Sequence, residues 1–281
     1  MAILPRLRLS VRTKPPADPA QFFGLDNIDE RLLSHVRRRR GVFVELGAFD
    51  GVNQSNTAWL EANRGWRGIL VEPIREAYEQ CVRNRPLATV VNCACVSDEY
   101  SDRTVEMVYS GLMSIVRGAR SSDETDEAWV SLGEELQQLQ RYTCSVPART
   151  LTAVLDKHRL RCVDLLSLDV EGYEIEVLKG FDLERFCPRY ILVEESGRGE
   201  VDPYLAARGY RKVAEVARAD FTSDVLYGRP PDSDRSIDSF RRQLARWRYF
   251  SSAFVLRPLA RGRRMMGSLT SRCARLLTRI R

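Results

Sequence analysis

The chain is predicted to adopt a doubly wound α/β fold: a mostly parallel sheet with helices on both faces and an antiparallel hairpin at one edge. Three observations predict it. Short apolar runs rich in β-branched residues alternate with amphipathic stretches from residue 41 onward, the pattern of parallel strands joined by helical crossovers. Two runs near residue 228 are separated only by a short link, which makes a hairpin and not a crossover. A length of 281 residues suffices for one sizeable α/β core with attachments and is rather short for two domains.

In order, residues 1–40 form a leader and a docking helix, 41–230 the α/β domain, and 231–281 a basic tail. The Arg-rich leader carries Pro15, Pro16 and Pro19, which suits disorder better than an organellar transit peptide. Phe22, Phe23, Leu25, Ile28, Leu32, Leu33 and Val36 fall at near-helical spacing, so a helix is expected over 21–40. Its last turn would hold Arg37 to Arg40 against the helix dipole. The expected strands are Val42-Phe-Val-Glu-Leu46, Gly68-Ile-Leu-Val-Glu72, Thr89-Val-Val-Asn92, Val163-Asp-Leu-Leu-Ser-Leu-Asp169 and Tyr190-Ile-Leu-Val-Glu194, with helices near 56–63, 74–84, 149–159 and 172–179. Gly209-Tyr-Arg-Lys-Val-Ala-Glu-Val216 and Asp224-Val-Leu-Tyr-Gly228 make the hairpin. Residues 100–145 break the rhythm with a strand at Thr104-Val-Glu-Met-Val-Tyr109 and a helix around 126–140. Insertions of this length in α/β domains usually form lids or substrate walls at the loop end of the sheet and less often are disordered, so a lid is expected here.

Apolar and charged fractions of 44% and 29% are those of an ordinary globular protein. Of 44 basic residues only four are Lys, a skew that reads as a G+C-rich bacterial genome. Seven scattered Cys, an odd number, point to a reducing cytosol. Cys93 and Cys95 form a C-x-C with no second pair and no nearby His, so they read as small residues on a buried strand and not as zinc ligands. No apolar stretch reaches the roughly 18 residues of a membrane span, and Arg6, Arg8 and Arg12 interrupt any signal-peptide core. A cytoplasmic protein is expected.

In open α/β sheets ligands bind outside the carboxyl ends of the strands, so those ends carry the functional reading. The first runs into Glu45-Leu-Gly-Ala-Phe-Asp-Gly51, where Gly47 and Gly51 allow a tight turn. This is not the G-x-G-x-x-G that cradles a pyrophosphate on a helix amino terminus. Glu45 and Asp50 would repel a pyrophosphate and can accept bonds from an ammonium. The turn therefore suits S-adenosylmethionine, which presents an amino acid and a sulfonium, better than a dinucleotide. Glu72 ends the second strand, 27 residues after Glu45, where a carboxylate can accept both ribose hydroxyls of an adenosine. Alternatively, it merely caps the strand before Pro73. Asn92 and Ser97, at the third strand end, are placed to bond an adenine or belong to an ordinary polar turn.

Asp169 and Glu171 follow the fourth strand and, by alternation, face one cavity if the strand persists that far. Glu194 and Glu195 end the fifth. Acids gathered here act as general bases, cofactor contacts or Mg²⁺ ligands, with Asp169 and Glu194 the metal candidates. His35 and His158 stand at no predicted strand end, which moves any base role to carboxylates. Glu174 and Glu176 read as exposed acids on a helix capped by Gly180.

At these residues the sequence resembles the FkbM-type methyltransferases. The matching stretches are Gly41-Val-Phe-Val-Glu-Leu-Gly-Ala-Phe-Asp-Gly51, Ser55-Asn-Thr57, Trp66-Arg-Gly-Ile-Leu-Val-Glu-Pro73, Asn84-Arg-Pro86, Ser167-Leu-Asp-Val-Glu-Gly-Tyr-Glu174 and Val177-Leu-Lys-Gly180, in the expected order across about 41–228. The resemblance implies a class I, Rossmann-like methyltransferase fold, S-adenosylmethionine as donor, and O-methylation of natural products or saccharides. It puts Glu45, Gly47 and Asp50 around the methionine part, Glu72 on the ribose, and Asp169 and Glu171 beside the transferred methyl. Star-like relatives are associated with membrane trafficking, so the fold need not imply catalysis.

Residues 235–281 hold 13 Arg and, after Asp234, the single acid Asp238. Ile237, Phe240, Leu244, Trp247, Phe250 and Phe254 form an apolar stripe beside Arg241, Arg242, Arg246 and Arg248. Such a tail either makes peripheral membrane contact with anionic lipid or packs on the protein or a second subunit. Nucleic acid ranks third, because no binding module positions the Arg side chains. Two functions are expected from different classes: O-methylation of a hydroxyl on a small-molecule, saccharide or lipid-linked acceptor, and a non-catalytic adaptor at a membrane. A nicotinamide dehydrogenase lacks its phosphate-binding glycines.

Overall fold

The structure, a computed structural model, describes residues 21–120, 122–195, 199–219, 222–229 and Tyr249. Its strands are β1 (Val42–Leu46), β2 (Arg67–Val71), β3 (Thr89–Val91), β4 (Ala94–Cys95), β5 (Thr104–Tyr109), β6 (Ile115–Val116), β7 (Tyr142–Arg149), β8 (Leu165–Leu168), β9 (Tyr190–Glu195), β10 (Arg211–Arg218) and β11 (Ser223–Gly228). Its helices are α1 (Ile28–Leu32), α2 (Ala58–Arg64), α3 (Arg75–Asn84), α4 (Asp123–Gln137), α5 (Leu151–Lys157), α6 (Glu174–Lys179), α7 (Leu183–Phe186) and α8 (Val201–Ala206).

The main sheet has the order β10-β11-β9-β8-β1-β2-β3. Parallel pairing joins β3, β2, β1, β8 and β9, and β11 runs antiparallel to both β9 and β10. The expected hairpin is present with its second strand inside, so that β10 forms the edge. Along β1, Val42, Val44 and Leu46 pack with Leu151, Leu155, Leu178 and Leu205 from α5, α6 and α8, whereas Phe43 packs with Leu32, Leu60 and Cys81 from α1, α2 and α3. A strand covered on both faces needs apolar side chains at successive positions, which is why its sequence is a near-continuous apolar run. The order reverses between β1 and β8, the place where open sheets bind ligands.

The insertion is a folded layer. β5 pairs antiparallel with β6 and β7, and β4 joins β7 to give a second sheet, β4-β7-β5-β6. Met107, Ile115, Val116, Val130 and Val146 form its core against Ile74 and Ala77 of the main domain. The helix expected over 126–140 is α4, and it starts earlier because Ser122 and Thr125 form a reciprocal capping box. Gln138, at φ 53°, ends it, and the chain returns as β7, a strand the sequence reading did not anticipate.

The helix expected over 21–40 is instead a 3₁₀ turn, Leu25–Asn27, followed by the short α1. Tertiary partners take the backbone groups a longer helix would use. The carbonyl of Arg38 accepts from the Trp66 indole at 2.9 Å, and that of Arg37 from Arg64 Nη1 at 3.2 Å. Arg37 to Arg40 are exposed as expected, but on an irregular segment. The leader of residues 1–20 and the apolar stripe of the tail lie outside the described residues. Tyr249 is described, and its hydroxyl donates to the Gly68 carbonyl at 3.3 Å. Among the described residues no helix is long and apolar enough to cross a membrane.

Candidate functional site

A cavity of about 280 Å³ opens over the carboxyl ends of β1, β2, β8 and β9. Gly47 lines it, with φ +76°, and a Cβ placed on it would stand 1.8 Å from the Asp169 carbonyl oxygen. The turn after β1 and the end of β8 are thus in backbone contact, which only glycine permits.

Glu45, Asp50 and Gly51 do not line this cavity; they hold its turn from behind. Glu45 Oε1 accepts the Asn56 N–H at 2.8 Å, and its Oε2 accepts the hydroxyls of Ser55, at 3.0 Å, and Thr57. Asp50 Oδ1 accepts the N–H groups of Val52 and Asn53 at 2.9 and 2.7 Å. The carboxylates expected to meet an ammonium are therefore already engaged by the turn they sit in. What ties the turn down is Arg85, 3% exposed, to which the sequence reading gave no role although it lies in the Asn84-Arg-Pro86 stretch. Its guanidinium donates to the Gly51 carbonyl, Ser55, Thr57 and Glu61 at 2.9–3.2 Å, and lies 3.9 Å from Glu45.

Asn56 does reach the cavity. Its Nδ2 donates to Ser167 at 3.2 Å, while its buried Oδ1 has no hydrogen-bond partner among the described residues. Glu72 lines the cavity too. Its Oε2 accepts the Phe49 N–H and its Oε1 the Ile74 N–H, both at 2.7 Å, so it caps β2 and still presents a second lone pair on each oxygen. Burial pushes its carboxyl up to about 8, against the pull of these two N–H groups. Asn92 and Ser97 lie off the cavity. Asn92 Nδ2 bridges the carbonyls of Glu72 and Pro73 at 2.9 and 2.7 Å, and Cys93, Ala94 and Cys95 form the wall in their place. Both cysteines are buried beside β4, as expected.

β8 ends at Leu168, so strand alternation does not bring Asp169 and Glu171 together. A turn does, with Glu171 at φ +58° and Gly172 at φ +98°. Holding a non-glycine residue there costs roughly 1–3 kcal/mol. Glu174 closes this turn, its Oε1 accepting the N–H of Gly172 at 3.0 Å and of Val170 at 3.3 Å. It is buried, contrary to the exposed helix position expected, and burial pushes its carboxyl to about 7. Glu176 does pair at the surface with Lys179. Gly180 ends α6 at φ −83°, not as a left-handed cap; a Cβ there would meet the Val96 carbonyl at 2.0 Å.

Asp169, Glu171 and Glu194 bring carboxylate oxygens within 4.8 Å of one another. Asp224, the partner of Glu194 across the β9–β11 pair, lines the same end. Asp169 and Glu171 hold their protons well above the usual carboxylate range, through burial first and the charge of Glu194 second. Burial also raises Glu194, and it pushes Asp224 to about 7. Glu195 points away, accepting from the Tyr227 hydroxyl. From the insertion, Met107, Leu112, Val116, Trp129 and Leu132 supply an apolar wall, and Arg120 stacks on Trp129 at 3.7 Å.

A family model of the FkbM methyltransferase domain matches residues 45–212, more than half of the chain. The chain belongs to the FkbM methyltransferase family. The FkbM domain runs from the end of β1 through the start of β10, and the mostly parallel sheet with its antiparallel edge hairpin is the class I methyltransferase fold that the resemblance implied. Similar solved structures include the METTL16 methyltransferase domain, with 11% identity over 73% of this chain and a TM-score of 0.42. A ribosomal protein L11 methylase from Lactobacillus delbrueckii subsp. bulgaricus has 9% identity over 75% of this chain and 83% of its own, with a TM-score of 0.40. A methyltransferase from Geobacter sulfurreducens has 12% identity over 74% and 80%, with a TM-score of 0.41. The chain covers 65% of the METTL16 domain, just under two thirds of its length. No curated protein matches.

Proposed function

We propose that this FkbM-family methyltransferase uses S-adenosylmethionine to methylate a hydroxyl on a saccharide, lipid-linked or natural-product acceptor. What supports the cofactor most directly is the unpartnered Oδ1 of Asn56, a buried acceptor in an acid-lined cavity. A cationic ligand with an ammonium satisfies that atom, and a pyrophosphate does not. Glu72 is placed to accept ribose hydroxyls with its remaining lone pairs, and Cys93, Ala94 and Cys95 give an apolar floor for the adenine. When bound, S-adenosylmethionine supplies an electrophilic methyl on sulfur, and transfer to the acceptor oxygen leaves S-adenosylhomocysteine.

One carboxylate of the Asp169–Glu171 pair, in its ionised form, accepts the acceptor's hydrogen bond and, as the new bond forms, its single proton, while the other stays protonated beside it. Arg120 draws Glu171 and Glu194 back toward the ionised form, which keeps a base available in a cluster too crowded to ionise fully. The insertion wall shapes the acceptor side and excludes water, so positioning supplies much of the rate. Incubation with methyl-labelled S-adenosylmethionine and a panel of hydroxylated acceptors tests the reading. Label in an alkali-stable ether supports it; label confined to amines or carboxyl esters contradicts it.

A further inference from the structure

Most of the structure's buried acids are clasped by backbone N–H donors. Two such donors meet each of Asp29, Asp50, Glu72, Asp126 and Glu174. The group of Asp169, Glu171 and Glu194 differs. Glu171 is 9% exposed and lines the cavity, yet its Oε2 has no hydrogen-bond partner among the described residues. The Trp129 indole lies close enough to bias that carboxyl, but its Nε1 completes no bond with it. Thr222 and Asp169 lie close enough to Glu194 to favour its ionised form against the burial that raises it. Three carboxylates therefore converge with one buried oxygen unclaimed, at the end of a turn strained to place it.

The geometry points to a divalent-cation site formed by Asp169, Glu171 and Glu194, facing the acceptor side of the cavity. An all-oxygen, all-carboxylate set suits a hard ion such as Mg²⁺ or Mn²⁺, and it has none of the thiolate or imidazole ligands typical of zinc and copper sites. Donors at about 2.1 Å from such an ion stand roughly 3.0 Å apart when adjacent and 4.2 Å when opposite. Oxygens already within 4.8 Å of one another need only side-chain rotation to close on it. The three come from two strand ends that Gly47 and the β8–β9 pairing hold in register, so the site exists before the ion arrives. Three protein ligands leave positions open toward the cavity, where an acceptor with a hydroxyl, or two neighbouring oxygens, would complete the shell. This rests on the reading of that end as the acceptor site.

The test is a titration of the full chain with Mn²⁺, following the free ion by electron paramagnetic resonance, with competition by Mg²⁺. One ion per chain is expected, bound more tightly than about 1 mM, displaced by Mg²⁺, and weakened about tenfold or more in Glu171→Gln and in Glu194→Gln. Glu176→Gln, which changes a surface acid, serves as the control and should bind as wild type. Circular dichroism melts confirm that each variant is folded. No saturable binding by the folded wild type overturns the site, as does binding that both variants leave unchanged. Titration with S-adenosylhomocysteine in metal-free buffer separates the two readings. Nucleoside binding without Mn²⁺ binding removes the cation alone, and Mn²⁺ binding without nucleoside binding removes the cofactor assignment.

Discussion

Gly47 presses on the carbonyl of Asp169, so that the turn after β1 and the end of β8 close on each other through bare backbone. A Cβ at Gly47 would overlap that oxygen at 1.8 Å and would also sit at φ +76°. Gly47→Ala should therefore lose roughly 1–3 kcal/mol from overpacking, with left-handed strain added. Urea denaturation reads this as a lower midpoint at unchanged slope. An unchanged midpoint would show that the two strand ends are not in contact.

Arg85 is the cation on which the turn depends. Arg85→Met keeps much of the side chain's length and leaves Glu45 and Glu61 buried without it. Breaking a buried pair from one side costs about 3–5 kcal/mol. The folded fraction that remains should bind S-adenosylhomocysteine more weakly, because Asn53 and Asn56 ride on the same turn. Loss of stability below about 1 kcal/mol would mean that the ion pairs are dispensable.

The pH dependence of cofactor binding should follow Glu72. Its carboxyl, ordinarily near 4.5, is pushed up to about 8 in the fold. The folded chain then holds a proton that the unfolded chain has released, so this group favours folding at low pH and loses that contribution as pH rises from about 4.5 through 8. Ribose hydroxyls bind the ionised form, so affinity runs the other way: it should rise with pH by up to about tenfold per unit and level off above about 8. In Glu72→Gln the affinity at pH 8 should be at least about tenfold lower and lack the Glu72 titration. A wild-type profile that matches the variant's would remove the ribose assignment.

The sequence made the sheet legible because its strands are buried on both faces and leave continuous apolar runs such as Val42 to Leu46. The hairpin was visible from the short link between its two strands, though which strand lay inside was not, since that depends on pairing between Asp224 and Glu194 across β11 and β9. Strand-end logic found Gly47, Glu72, Asp169, Glu171 and Glu194, which the structure brings to one cavity. It did not separate these from Glu45, Asp50, Asn92 and Ser97, because whether a polar side chain faces a ligand or its own loop is set by tertiary hydrogen bonds. Asn56 and Arg85 carried only a local signal, their place in Ser55-Asn-Thr57 and Asn84-Arg-Pro86. Glu171 was found for the wrong local reason: a left-handed turn closed by Glu174 aims it, not strand alternation.

The most direct test of the central claim is calorimetric titration of the full chain with S-adenosylhomocysteine in metal-free buffer at pH 8. Saturable binding near one equivalent, lost in folded Glu72→Gln or strongly weakened, is the predicted result. A chain that melts cooperatively yet gives no heat and no thermal shift with the nucleoside would contradict it.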